Sequence, residues 1–111
     1  MNKLTLKLIA ELAEEYSDYQ ESHLAMGQCE DMTDLFNQKC KENNIDVSKC
    51  CLCDNNGPFH FFSKIGDTYI DFTMRQFDYD SPFPYVSKDI NFNNLDIDFE
   101  IEGKISIETL L

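Results

Sequence analysis

The sequence predicts an α+β fold, with helices first and an antiparallel sheet after them. Two observations carry that expectation. Apolar residues recur at helical spacing as far as Asn43, and beyond it they give way to aromatic and β-branched runs divided by tight turns. The chain has the apolar mass for such a core, being 42% hydrophobic with Phe 9 and Tyr 5, which excludes wholesale disorder. At 111 residues it is large enough for one core and too small for two, so residues 1–111 are expected to form a single domain.

Leu4, Leu8, Ile9, Leu12, Ala13 and Tyr16 fall at helical spacing with Lys7, Glu11, Glu14 and Glu15 between them. That is an amphipathic helix docking on a core. Ser17 to Gln28 is polar and irregular and reads as a connector. A second helix is expected from Cys29 to about Asn43, with Cys29, Met32, Leu35, Phe36 and Cys40 on one face. Glu30 and Asp31 in its first turn and Lys39 and Lys41 in its last suit the helix dipole, and Asn43-Asn44 ends it. Asp46 to Cys53 is compatible with a short strand, after which Asn55-Asn56-Gly57-Pro58 breaks the chain. Phe59 to Ile65 and Thr68 to Thr73 read as two strands joined by the tight turn Gly66-Asp67. Asp80 to Pro84 is a proline-punctuated loop. Leu95 to Leu110 alternates apolar and acidic residues around a reversal at Glu102-Gly103-Lys104, the pattern of a second hairpin with one wet side.

Charge narrows the partners. A net charge of −12 repels phosphates and argues against direct binding to nucleic acid. It fits a solvated acidic surface, or a decoy that attracts a basic partner; the acids are spread along the chain, which favours the first. No run of about 18 apolar residues and no leader pattern occurs, so no membrane partner is expected and a cytoplasmic location is. Five cysteines, Cys29, Cys40, Cys50, Cys51 and Cys53, leave at least one unpaired, and a reducing compartment with no disulfide scaffold follows.

Chemistry concentrates in three residues. If Gly66-Asp67 is the turn, Ile65 faces Thr68, Lys64 faces Tyr69, Phe62 faces Asp71 and His60 faces Thr73. Alternation then projects His60, Phe62, Tyr69, Asp71 and Thr73 from one side of the hairpin. His60 and Asp71 become diagonal neighbours with Cβ atoms roughly 7 Å apart, a gap their side chains can close. A carboxylate on one ring nitrogen fixes the tautomer and leaves the other nitrogen free to take and return a thiol proton. Cys29 at a helix start gains unpaired backbone N–H groups, which favour a thiolate and can serve a developing oxyanion. Glu30 and Asp31 oppose this, so their side chains should point away.

Gly27-Gln28-Cys29, His60-Phe61-Phe62 and the run Ile70-Asp71-Phe72-Thr73-Met74-Arg75-Gln76-Phe77 resemble the papain-fold and transglutaminase-like superfamily. They are most similar to its small branch of papain-fold toxins and glutamine deamidases. The resemblance covers about residues 25 to 80. It implies Cys29 as nucleophile, His60 as general base and acid, and Asp71 as orienting carboxylate. Gln28 and Gln20 are the candidates for an oxyanion glutamine, and no Trp is present to wall the site. Thr73 and Gln76 are expected to support the turn after the strand, and Arg75 to neutralise acids or lie exposed.

The function these residues imply is a small thiol hydrolase acting on a protein, by glutamine deamidation ahead of peptide cleavage, with a basic target. The alternative is a non-catalytic acidic binding or inhibitor protein, of the kind a phage encodes, that blocks a basic or nucleic-acid-binding partner. No cofactor is expected. A zinc site from Cys50-Cys51-Leu52-Cys53 with Cys40 or His60 lacks the paired C-x-x-C spacing, so no metal is expected. Calcium-loop, phosphate-loop and G-x-S-x-G patterns are absent.

Overall fold

The computed structural model describes residues 1–90, 97 and 100–110. Helix α1 (Lys3–Glu15) starts where Asn2 caps it, its side-chain oxygen accepting from the Thr5 N–H and hydroxyl. The cap sets the phase of the helix, so Thr5, Leu8, Ile9 and Leu12 form the buried stripe. Leu4, expected on that stripe, sits at its margin and is 41% exposed. The segment expected to be a plain connector instead holds a 3-10 turn at Ser17–Gln20 and a short helix α2 (Ser22–Ala25). Tertiary contact imposes them: the Ser22 hydroxyl donates to the Arg75 carbonyl and Ala25 is fully buried. Helix α3 (Cys29–Glu42) matches its expected span, and Asn43 follows it as C-cap.

Strands β1 (Ser48–Asp54), β2 (Gly57–Ile65), β3 (Thr68–Asp71), β4 (Tyr85–Ser87) and β5 (Ser106–Thr109) form one sheet in the order β4-β3-β2-β1-β5, and these strands pair antiparallel throughout. The α+β expectation is met. The β2–β3 hairpin has the register read from the sequence, with Ile65 opposite Thr68, Lys64 opposite Tyr69 and Ser63 opposite Ile70. Period-2 alternation then divides the interior. Ile70 and Phe72 join Leu8, Ile9, Leu12, Met32 and Phe36 beneath the helices, whereas Phe62 joins Cys50 and Leu52 in a second cluster flanked by Tyr69.

Four sequence expectations change. The break at Asn55-Asn56-Gly57-Pro58 is only a two-residue turn, and β2 runs through Pro58. Pro58 is tolerated because the β1–β2 register shifts between Leu52 and Cys53, next to its partner Cys53. The second strand ends at Asp71, short of Thr73. Strand β4 was not foreseen. Of the hairpin expected over 95–110, β5 is described and pairs with the open edge of β1, where Cys51 faces Glu108. Of its first arm, Ile97 and Glu100–Glu102 lie in no strand, and the rest lies outside the described residues. The reversal itself exists but docks on the β1–β2 turn: Asn55 N–H donates to the Glu102 carbonyl and Glu102 N–H to Asp54. Gly103 sits at φ +80, a conformation other residues rarely adopt, and a Cβ there would also press on the Asn55 side chain.

Candidate active site

The hairpin register brings an imidazole to a carboxylate. His60 Nε2 lies 2.5 Å from Asp71 Oδ2, and both side chains are almost wholly removed from solvent. The second Asp71 oxygen, Oδ1, accepts from the Thr73 N–H at 2.8 Å and from the Thr73 hydroxyl at 3.2 Å. Where β3 ends, the chain turns back on its last carboxylate and locks it. Aromatic rings complete the enclosure, with Phe62 stacked on the imidazole at 5.9 Å and Phe77 edge-on at 4.8 Å. Phenylalanines thus take the walling role for which no Trp is available.

The other ring nitrogen faces Gln76. Gln76 Nε2 stands 3.2 Å from His60 Nδ1 and 3.3 Å from the Thr73 hydroxyl oxygen. Gln76, expected to support the turn and the site, touches the imidazole directly. Cys29 stands half-buried at the first position of α3, close enough for the imidazole of His60 to act on its thiol electrostatically. The β2–β3 pairing ends at Ser63–Ile70, and beyond that point the Phe61 backbone acts to lower the Cys29 pKa.

Electrostatics separate this thiol from the others. Burial acts to raise the Cys29 pKa, but the imidazole of His60 and the Phe61 backbone outweigh it, and the net direction is down. Burial pushes Cys40 up to about 11 and Cys53 up to about 12, and it raises Cys50 as well. For His60, burial disfavours the charged ring, yet Asp71 and the Cys29 sulfur reverse this and raise it to about 9. Both directions favour the charged forms, the thiolate at Cys29 and the protonated ring at His60, relative to the free side chains.

Glu30, in the acidic first turn of α3, has a cation partner. Lys49 on β1 puts its ammonium 2.9 Å from Glu30 Oε2 and 2.9 Å from Asp34 Oδ1, and 5.0 Å from the Phe61 ring centroid. Glu30 is thereby directed to a cation rather than to the sulfur. No local pattern pointed to Lys49, because its partners lie 15 to 19 residues away on another element.

The oxyanion candidates fare differently. The Gln20 amide donates to the Ser17 carbonyl within its own exposed turn. Gln28 precedes Cys29 as the N-cap residue and makes no side-chain cap bond. Arg75, expected near acids or exposed, donates instead to the carbonyls of Ser81 at 2.9 Å and Gln20 at 3.4 Å. All five cysteines are free. Among the described residues, Cys51, Cys53 and Glu108 form a group close enough to hold a metal ion. No helix among them is long and apolar enough to cross a membrane.

Comparison with protein-family models, curated proteins and solved structures finds no match to this chain.

Proposed function

We propose that this protein is a small cysteine hydrolase with a papain- or transglutaminase-like arrangement, in which Cys29 is the nucleophile, His60 the acid and base, and Asp71 its orienting partner. The observation that supports it is electrostatic: of the four cysteines with a resolved shift, Cys29 alone is lowered, and the fully buried His60 is what lowers it. An acidic binding protein has no use for a buried imidazole–carboxylate pair, whose desolvation is costly; thiol chemistry does.

The thiolate attacks a carboxamide carbon, and the first-turn N–H groups of α3 face the developing oxyanion. The imidazolium gives its proton to the departing ammonia or amine, leaving a thioester. Water, deprotonated by the now neutral ring, cleaves the thioester and returns the thiol. The net change is carboxamide plus water to carboxylate plus ammonia or amine. A glutamine side chain or a peptide bond of a protein is the substrate class, and the charge of −12 steers basic targets toward it. Because His60 is fully buried, the substrate must displace Gln76 from the ring's side to receive the proton.

Alkylation by iodoacetamide, mapped by mass spectrometry, tests the assignment. Cys29 is expected to react first among the five thiols, with a midpoint below that of an ordinary thiol, and His60→Gln should slow it. Equal reactivity of Cys29 and the other thiols, or indifference to His60→Gln, would overturn the hydrolase reading.

A further inference from the structure

On the neighbouring strands, away from the residues assigned to thiol chemistry, a second cysteine group is gathered. Cys51 Sγ and Cys53 Sγ are 2.8 Å apart, and Cys53 Sγ is 3.7 Å from Glu108 Oε2. One ligand atom from each of the three lies within 4.8 Å of the others. Two structural facts produce this. Positions i and i+2 of β1 point to the same side, and Cys51 pairs directly with Glu108 across the β1–β5 ladder. The adjacent cysteines do not join in: Cys50 faces the Thr109 hydroxyl, Cys40 lies in the cluster beneath the helices, and His60 is held by Asp71. The zinc combination weighed from the sequence is thus broken up, and a different one is assembled.

We propose that Cys51, Cys53 and Glu108 bind one thiophilic divalent cation of the Zn2+ type through two sulfurs and one carboxylate oxygen. The separations suit it. Tetrahedral zinc with Zn–S of about 2.3 Å and Zn–O of about 2.1 Å places sulfur about 3.6 Å from oxygen and sulfurs about 3.8 Å apart. The sulfur–carboxylate distance already has that value, and the sulfurs must part by about 1 Å, a small χ1 adjustment. Charge also suits it. Cys51 and Cys53 are 0% and 5% exposed and lie beside a carboxylate, so a cation bound there is held away from solvent by anionic ligands. On binding, M2+ replaces two thiol protons, which are released, and two thiolates plus one carboxylate surround it. Lys49, two residues before Cys51, does not oppose the cation because its charge is already paired with Glu30 and Asp34. Glu108 is exposed, which leaves the fourth position open to water. The bound ion would fasten β5 to β1.

The full chain, reduced with a phosphine and titrated with Cd2+, gives the test through thiolate-to-cadmium charge-transfer absorbance. One equivalent should bind with release of two protons. Cys51→Ser and Cys53→Ser should each remove most of the absorbance, whereas Cys29→Ser should leave it unchanged. Should the serine variants fail to fold, Glu108→Gln at the exposed position decides, with affinity expected to fall about tenfold or more. Absence of the band, its loss in Cys29→Ser, or unchanged affinity in Glu108→Gln overturns the site. None of these outcomes bears on the alkylation of Cys29 by iodoacetamide.

Discussion

His60 and Cys29 hold opposite protonation shifts, and their signs make separable predictions. The folded His60 pKa of about 9 lies above its ordinary 6.5, so the imidazolium contributes stability below about pH 6.5 that is lost as pH rises through about 9. Cys29 is lowered from 9.0, so its contribution is present above about pH 9 and is lost as pH falls through its folded value. In the unaltered chain the two trends oppose each other between these limits. Thermal unfolding followed from pH 6.5 to 9.5 should therefore decline more steeply with pH in Cys29→Ser than in the parent. In His60→Gln that decline should disappear. Identical slopes in all three proteins would mean that thiol and imidazole are uncoupled. The His60–Asp71 pair was legible because strand alternation and a two-residue turn suffice to derive it. The role of Gln76 was not, since it depends on a 3-10 turn at Met74–Gln76 that no apolar period announces.

At the level of elements, the head of α3 is prepared by β1. Lys49→Met should free Glu30 to act on the sulfur and move the midpoint of Cys29 alkylation to higher pH. The same change should cost little stability, about 1 kcal/mol or less, because Glu30 and Asp34 are half-exposed. Denaturant titration alongside the alkylation profile checks both halves; a large stability loss with no change in reactivity would make Lys49 purely structural. The two long helices and the Gly66-Asp67 hairpin were readable from the sequence because each is specified within its own segment. The pairing of β5 with β1 was not read for the opposite reason: its alternation is a genuine strand signal, but the edge it joins belongs to residues more than fifty positions earlier. Strand β4, only Tyr85–Ser87, is too short for any period to show.

For the molecule as a whole, the excess of acids over bases is 21 to 9, and self-repulsion should weaken the folded state at low ionic strength. Raising salt from about 10 mM to about 150 mM shortens the screening length from roughly 30 Å to roughly 8 Å. The unfolding temperature should rise, by roughly 4 °C or more for each kcal/mol relieved; a fall would show that ion pairs such as Lys49–Glu30–Asp34 outweigh the net charge. Arg75 has a consequence of another kind. Its guanidinium reaches the Gln20 carbonyl, and its own carbonyl takes the Ser22 hydroxyl. The stretch leading into Cys29 is thereby lashed to the stretch that follows Asp71. On the proposed reading, a nascent or clipped chain that ends before this arginine should carry a sulfhydryl of ordinary reactivity, so alkylation at that sulfur would report completion of the fold.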